Sequence, residues 1–153
     1  MSMLLLALAL LTPAATVADD DRSGDEVTCS VNVRALDGQG QARSARRVSA
    51  SVAPAVVFRG RVSANQADAP PLVFDVFSPR GQRYQSLLAT PRVVSQERGG
   101  HRIERTTRTR EASMAVAGSS IVLTSMYGKW RVEPRIEGTS RPCGRPEFFT
   151  IRP

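Results

Sequence analysis

The feature that most constrains the fold is the lack of a helical repeat. Nowhere do apolar residues recur with a helical period over the ten or so residues that a globular helix needs. Instead, short runs of alternating apolar and polar residues are separated by Gly and Pro at intervals of about 8–12 residues. Residues 27–33 begin this pattern, with Val27, Cys29, Val31 and Val33 on one face. The sequence therefore predicts an all-β fold, a single antiparallel β-sandwich.

The strongest strand signal lies near the middle of the chain. Residues 72–77 place Phe74 and Val76 on one face, and residues 78–81 read Ser-Pro-Arg-Gly. Pro at the second position of these four predicts a type I or II turn. The chain then returns along residues 82–88, so this segment predicts a β-hairpin.

Glycine marks two further places. Gly60 interrupts an apolar strand and predicts a bulge or a kink there. The Gly-Gly pair at 99–100 predicts a two-residue hairpin turn between residues 93–97 and 101–111. Ile103 is the clear core candidate in the second of these strands.

The last third of the chain predicts more strands and most of the core. Residues 120–125 are expected to form a strand, and residues 148–151 are expected to close the domain. A Trp that alternates with an apolar residue in a strand is typical of core packing and not of a ligand platform. The predicted structural core comprises Trp130, Val132, Phe74, Val76 and Phe149.

Four C-terminal segments, residues 116–121, 127–133, 137–138 and 148–151, together resemble the end of bacterial Ig-like or fibronectin-like β-sandwiches. The hairpin at residues 74–84 is similar to one found in the same class and in macroglobulin-like domains. The resemblance implies an Ig-like β-sandwich and transfers no function. Unlike in true immunoglobulin domains, the cysteines are expected to join terminal strands and not the two sheets.

The N-terminus has the features of an export signal. Residues 1–18 carry no charged side chain, residues 3–11 are all apolar, and three aspartates follow Ala18. No Lys or Arg precedes the apolar run, and a buried N-terminal helix is the alternative. We expect residues 1–18 to be a signal peptide, 19–26 a disordered acidic N-terminus and 27–153 the sandwich domain. The protein is thus expected to be periplasmic or secreted, with no transmembrane span in the mature chain.

Two cysteines in an exported chain predict a disulfide between Cys29 and Cys143. They lie near the two ends of the predicted domain. Two free buried thiols, or a bridge between two molecules, are the alternatives.

The sequence offers little catalytic chemistry. A single His and two Cys exclude a zinc finger and an iron–sulfur cluster, and the common hydrolase and phosphate-loop motifs are missing. Arginines beside His101 disfavour the imidazolium that a general base must form. Glu104 and Glu111 are expected to make surface salt bridges. We therefore expect no enzymatic activity, no metal and no cofactor.

Arginine dominates the charge. The chain has 21 Lys and Arg against 14 Asp and Glu, a net charge of +7, and Lys129 is the single lysine. Guanidinium groups match phosphate and carboxylate geometry, so one dense cluster is a candidate anion-binding site, with Arg102, Arg108 and Arg110 on one exposed strand face. The alternative is that these arginines prevent edge-to-edge pairing of strands. The cluster comprises Arg98, Arg102, Arg105, Arg108 and Arg110.

These observations lead to two functional hypotheses. The first is an exported, non-enzymatic Ig-like β-sandwich, a structural or protein-interaction module of the cell envelope that contacts an envelope protein through an edge strand. The second is an Arg-rich module that binds anionic envelope polymers or lipid head groups. Specific nucleic-acid binding is not expected, because the Arg cluster contains no aromatic residue. The sequence defines neither the ligand nor the oligomeric state.

Overall fold

A computed structural model describes residues 27–63 and 69–153. The predicted signal peptide, residues 1–18, and the predicted acidic segment, residues 19–26, lie outside the described residues. The described chain folds into strands and one helical turn: β1 Thr28–Leu36, β2 Ala42–Ser44, β3 Arg47–Ser49, β4 Ala55–Ser63, β5 Leu72–Phe77, β6 Arg83–Arg98, β7 His101–Ala115, α1 Ser120–Leu123, β8 Gly128–Ile136 and β9 Glu147–Arg152.

The strands form one continuous hydrogen-bonded sheet in the order β2-β1-β4-β7-β6-β5-β8-β9-β3. The first part of β6 pairs with β5 and the second part pairs with β7, so β6 passes from one layer to the other. Layer A contains β2, β1, β4, β7 and the end of β6, and layer B contains the start of β6, β5, β8, β9 and β3. Every pairing is antiparallel except that of β3 with β9, which is parallel. The prediction of an all-β sandwich is confirmed.

Aromatic side chains from both layers meet in the core. The Phe58 ring of layer A lies 5.9 Å from that of Phe74 and 5.7 Å from that of Phe149, both of layer B. Trp130 is fully buried, and its indole N–H donates to the Met126 carbonyl over 3.1 Å. The buried Trp therefore leaves no donor unpaired. The core residues expected from sequence are all buried: Trp130, Val132, Phe74, Val76 and Phe149.

Gly60 does not form a bulge. It pairs in register with Val31 of β1 and with Arg110 of β7. A Cβ at this position would lie 2.5 Å from the Ser30 carbonyl oxygen and 2.8 Å from Leu72 Cδ2. The predicted bulge is wrong, because the register with both neighbouring strands includes Gly60, and glycine is needed here for close packing.

Two other local predictions are also wrong. Ile103 is 49% exposed and not in the core, because its part of β7 extends past the sandwich. Residues 120–125 contain the short helix α1 and not a strand. The Ser119 hydroxyl caps this helix by accepting from the Ile121 N–H, and Ile121 is buried.

The structure contains the Cys29–Cys143 disulfide, with a Cα–Cα distance of 5.1 Å. Cys143 lies in the connection between β8 and β9 and not in the last strand. The bridge thus joins β1 of layer A to a connection of layer B, so the expectation that it ties terminal strands and not the sheets is wrong. The Cys29 N–H also donates to the Cys143 carbonyl over 2.7 Å. The two layers are therefore fastened at this end by covalent and hydrogen bonds.

Candidate functional site

The β6–β7 hairpin extends beyond the sandwich. The pairing of β5 with β6 ends at Ala89, and that of β4 with β7 begins at Arg110. Residues 93–98 and 101–106 therefore pair with each other alone. We call residues 93–106 the arm. Because a strand rises about 3.3 Å per residue, the arm projects roughly 20 Å.

Two glycines form the turn at the tip of the arm. Gly99 and Gly100 have φ angles of +59° and +76°, the conformation that a two-residue hairpin turn between Arg98 and His101 requires. The predicted Gly-Gly turn is confirmed.

The two faces of the arm differ in charge. Residues directly opposite one another share a face in an antiparallel pair, so Arg102 shares a face with Glu97 and Glu104. Arg102 Nε lies 3.8 Å from Glu104 Oε1, and Arg102 also donates to the Ser95 hydroxyl. Its charge is thus locally balanced. The other face carries Arg98, Arg105, Ile103 and the exposed His101.

The remaining two arginines of the expected cluster lie outside the arm. Arg110 is half-buried and donates to the Ala69 carbonyl over 2.6 Å. Arg108 lies at the base of the arm, beside Arg61. The prediction that Arg102, Arg108 and Arg110 share one exposed face is wrong, because the arm and the sandwich give these positions different neighbours. Anion binding by the cluster stays a prediction.

A cleft lies where the arm leaves the sandwich. The register of β4 with β7 ends at Gly60 and Arg110. Beyond this pair lies an open cleft lined by residues of β1, β4 and β7, which we call the basal cleft. Its volume is about 520 Å³, and it is lined by Thr28, Cys29, Ser30, Arg61, Val62, Ser63, Thr107, Arg108 and Thr109.

The basal cleft is basic and rich in hydroxyl groups. Arg61 Nε donates to the Thr109 hydroxyl over 3.3 Å, and the Ser63 hydroxyl donates to the Thr28 carbonyl. The described residues that line it include two arginines and neither Asp nor Glu. Sequence reasoning did not identify Arg61. The one signal for a site here was the position of Arg108 between two threonines.

The outer face of layer B pairs cations with aromatic rings. The Arg131 guanidinium lies 4.3 Å from the centre of the Phe77 ring, and Lys129 Nζ lies 4.5 Å from that of Phe148. Phe148 is 44% exposed. Sequence reasoning missed this face, because cross-strand register brings Arg131 beside Phe148 from distant parts of the chain.

A buried ion pair lies on the same side of layer B. Asp75 is 5% exposed, and Arg135 Nε donates to its carboxylate over 2.7 Å. Burial alone would raise the carboxyl pKa, but hydrogen bonds from Arg135 and Ser86, together with the Arg135 charge, outweigh it and lower the pKa of Asp75. The signal in the sequence was an acidic residue within the otherwise apolar run of β5. The pair joins the neighbouring strands β5 and β8.

The residues considered for catalysis do not form a catalytic arrangement. His101 is exposed at the tip of the arm. Glu104 pairs with Arg102, and Glu111 pairs with Arg59 and lies 3.8 Å from Arg92. The expected surface salt bridges are thus present. Within residues 27–63 and 69–153, no three His, Cys, Asp or Glu residues gather as metal ligands.

The helices of the described residues do not cross a membrane. The helix α1 has four residues, and no described helix has the length and hydropathy that a bilayer span requires.

The described part of the chain is more basic than the whole. Five of the fourteen acidic residues and one of the 21 basic residues precede Val27. The positive charge is therefore concentrated on the sandwich and the arm.

No protein-family model matches the chain, and no curated protein matches its sequence. Among solved structures, the chain is similar to one described as an immunoglobulin-like protein from Pseudomonas aeruginosa. The two are 15% identical, the match covers 85% of this chain and 99% of that one, and the TM-score is 0.48.

Proposed function

We propose that this chain is an exported, non-enzymatic β-sandwich module of the cell envelope, and that it contacts a partner protein through the arm. The observation that carries the proposal is the pairing of residues 93–98 with residues 101–106 and with no other described strand. Both long edges of the arm therefore present backbone N–H and C=O groups to a partner strand.

Strand addition to an exposed edge is a common mode of peptide recognition, in which backbone hydrogen bonds supply affinity and side chains supply specificity. Val93 is 54% exposed and Ile103 is 49% exposed, and register places them on opposite faces of the arm. Each face thus offers an apolar contact surrounded by charged residues. Those charges discourage pairing between copies of the arm.

Two observations support export. The sequence predicts a signal peptide at residues 1–18, and disulfides persist in oxidising compartments. If the signal is cleaved as expected, the protein purified from the periplasm or the medium begins at Asp19. N-terminal sequencing measures this directly, and an intact Met1 in the exported protein would contradict it.

Photo-crosslinking tests the interaction. A photoreactive amino acid replaces Gln96 in the arm or, as a matched control, Gln82 in the β5–β6 turn. We expect a discrete adduct with one envelope protein from Gln96 and none from Gln82, because only the first position lies on the proposed interface. The adduct from Gln96 should vanish when an excess of unlabelled protein is added. Equal patterns from both positions would overturn the proposal.

The second hypothesis placed anion binding on the five-arginine cluster. The structure divides those residues among two arm faces, a carbonyl contact at Ala69 and the basal cleft. The arm keeps Arg98 and Arg105 on one face, and the cleft combines Arg108 with Arg61. The chemistry of anion binding is therefore best examined at the basal cleft.

A further inference from the structure

We infer that the basal cleft is a binding site for an oxyanion, the phosphate or carboxylate group of a ligand. This inference is independent of the partner proposed for the arm, because it rests on a different set of residues.

The charge of the lining favours an anion. Arg59 of β4 pairs with Glu111. Arg61, two residues further along the same strand, and Arg108 make no ion pair with any described residue. Two arginines in the lining of one cleft raise the local positive potential, and a bound oxyanion compensates it.

The backbone of β7 is irregular beside the cleft. Three residues of β7, Thr107 to Thr109, lie opposite the single residue Arg92 of β6. They have a register partner in neither β4 nor β6. Thr107 and Thr109 are half-buried and Arg108 is exposed, so backbone groups of this segment that bond no strand face water or a ligand in the cleft.

Hydroxyl groups complete the lining. The Thr28 and Ser63 hydroxyl groups bond to each other, and that of Ser63 also donates to the Thr28 carbonyl. The hydroxyl groups of Ser30 and Thr109, which also line the cleft, donate to no other described residue. The cleft volume of about 520 Å³ lies within the range of small-molecule sites. The cleft therefore has room for more of a ligand than its anionic group.

Titration followed by NMR tests the inference. Inorganic phosphate and acetate are added separately to ¹⁵N-labelled protein with the disulfide intact, and sodium chloride at equal ionic strength is the reference. We expect saturable shifts of the Thr107–Thr109 amides and of the Arg61 Nε–H with at least one oxyanion. Saturation by phosphate alone or by acetate alone identifies which group the site prefers. Shifts that do not saturate, or that match those with chloride, would overturn the inference.

A pair of double variants provides the control. Arg61→Ser with Arg108→Ser removes the two charges of the cleft, whereas Arg80→Ser with Arg98→Ser removes two exposed charges outside it. We expect the first variant to bind the oxyanion about tenfold or more weakly, as loss of charge-assisted hydrogen bonds implies, and the second to bind less than about twofold more weakly. Equal losses would mean that net charge, and not the cleft, attracts the anion. Circular dichroism and thermal unfolding establish that both variants are folded.

Discussion

Strands β6 and β7 run through both the sandwich and the arm, and their surroundings differ between these two parts. Where β6 and β7 lie in the sandwich, Ala89 and Met114 are buried against both layers. Where the same strands form the arm, Val93 and Ile103 are about half exposed on opposite faces. A strand gains stability from burial on at least one face. The sandwich therefore carries most of the stability, and the arm contributes little to it.

The largest difference in the free energy of unfolding should appear between alanine variants of Trp130 and Ile103. Trp130→Ala should lower the free energy of unfolding by about 3–5 kcal/mol, because it leaves a cavity between the layers. Ile103→Ala should lower it by less than about 1 kcal/mol, because half of the side chain is already exposed. Chemical denaturation followed by circular dichroism measures both, and similar losses would mean that the arm packs on the sandwich.

Loss of the disulfide should destabilise the sandwich and change the arm little. The double variant Cys29→Ala with Cys143→Ala should lose about 2–5 kcal/mol, because the bridge closes a loop across most of the domain. Hydrogen exchange of amides in the arm should change little under native conditions. The oxidised wild type should also resist alkylation until it is reduced, and two thiols that react without reductant would contradict the bridge.

The Asp75–Arg135 pair should make the stability of the sandwich depend on acid pH. The pKa of Asp75 is lowered in the folded state, so its contribution to the free energy of unfolding is present above the ordinary carboxyl pKa, about 3.9. That contribution is lost as the pH falls through the lowered pKa of the folded state. Asp75→Asn should therefore cost about 1.5–3 kcal/mol at pH 7 and less at pH 3. Glu97→Gln in the arm is the control, with no comparable effect at either pH. Urea denaturation at the two pH values decides between these outcomes.

The smallest effects should separate arginines that sequence reasoning grouped together. Arg98→Ser and Arg105→Ser in the arm should each change the free energy of unfolding by no more than about 0.5 kcal/mol, as exposed substitutions do. Arg110→Ser should cost about 1 kcal/mol, because it removes the hydrogen bond to the Ala69 carbonyl from a half-buried position. Equal values for the three variants would mean that the Arg110 hydrogen bond contributes no stability.

Several features follow from local physics and were predictable from the sequence. Alternation of apolar residues predicts the strands and the burial of Phe74 and Trp130, since a pleated strand presents successive side chains to opposite faces. The Gly-Gly pair at 99–100 predicts a hairpin turn, because only glycine adopts positive φ readily at both positions. The even number of cysteines, together with the predicted export signal, predicts the disulfide.

Only the tertiary structure determines which residues each strand contacts. The role of Gly60 depends on Leu72 and Phe74 of the opposite layer, and the exposure of Ile103 depends on where the pairing of β4 with β7 ends. For the same reason, the arginines of one dense run lie in four different environments. Arg61 and Arg108 line the same cleft, which the sequence of neither segment indicates. Alternation fixes which side of a strand a residue faces, but register and strand length determine whether another layer, another charge or open solvent lies on that side.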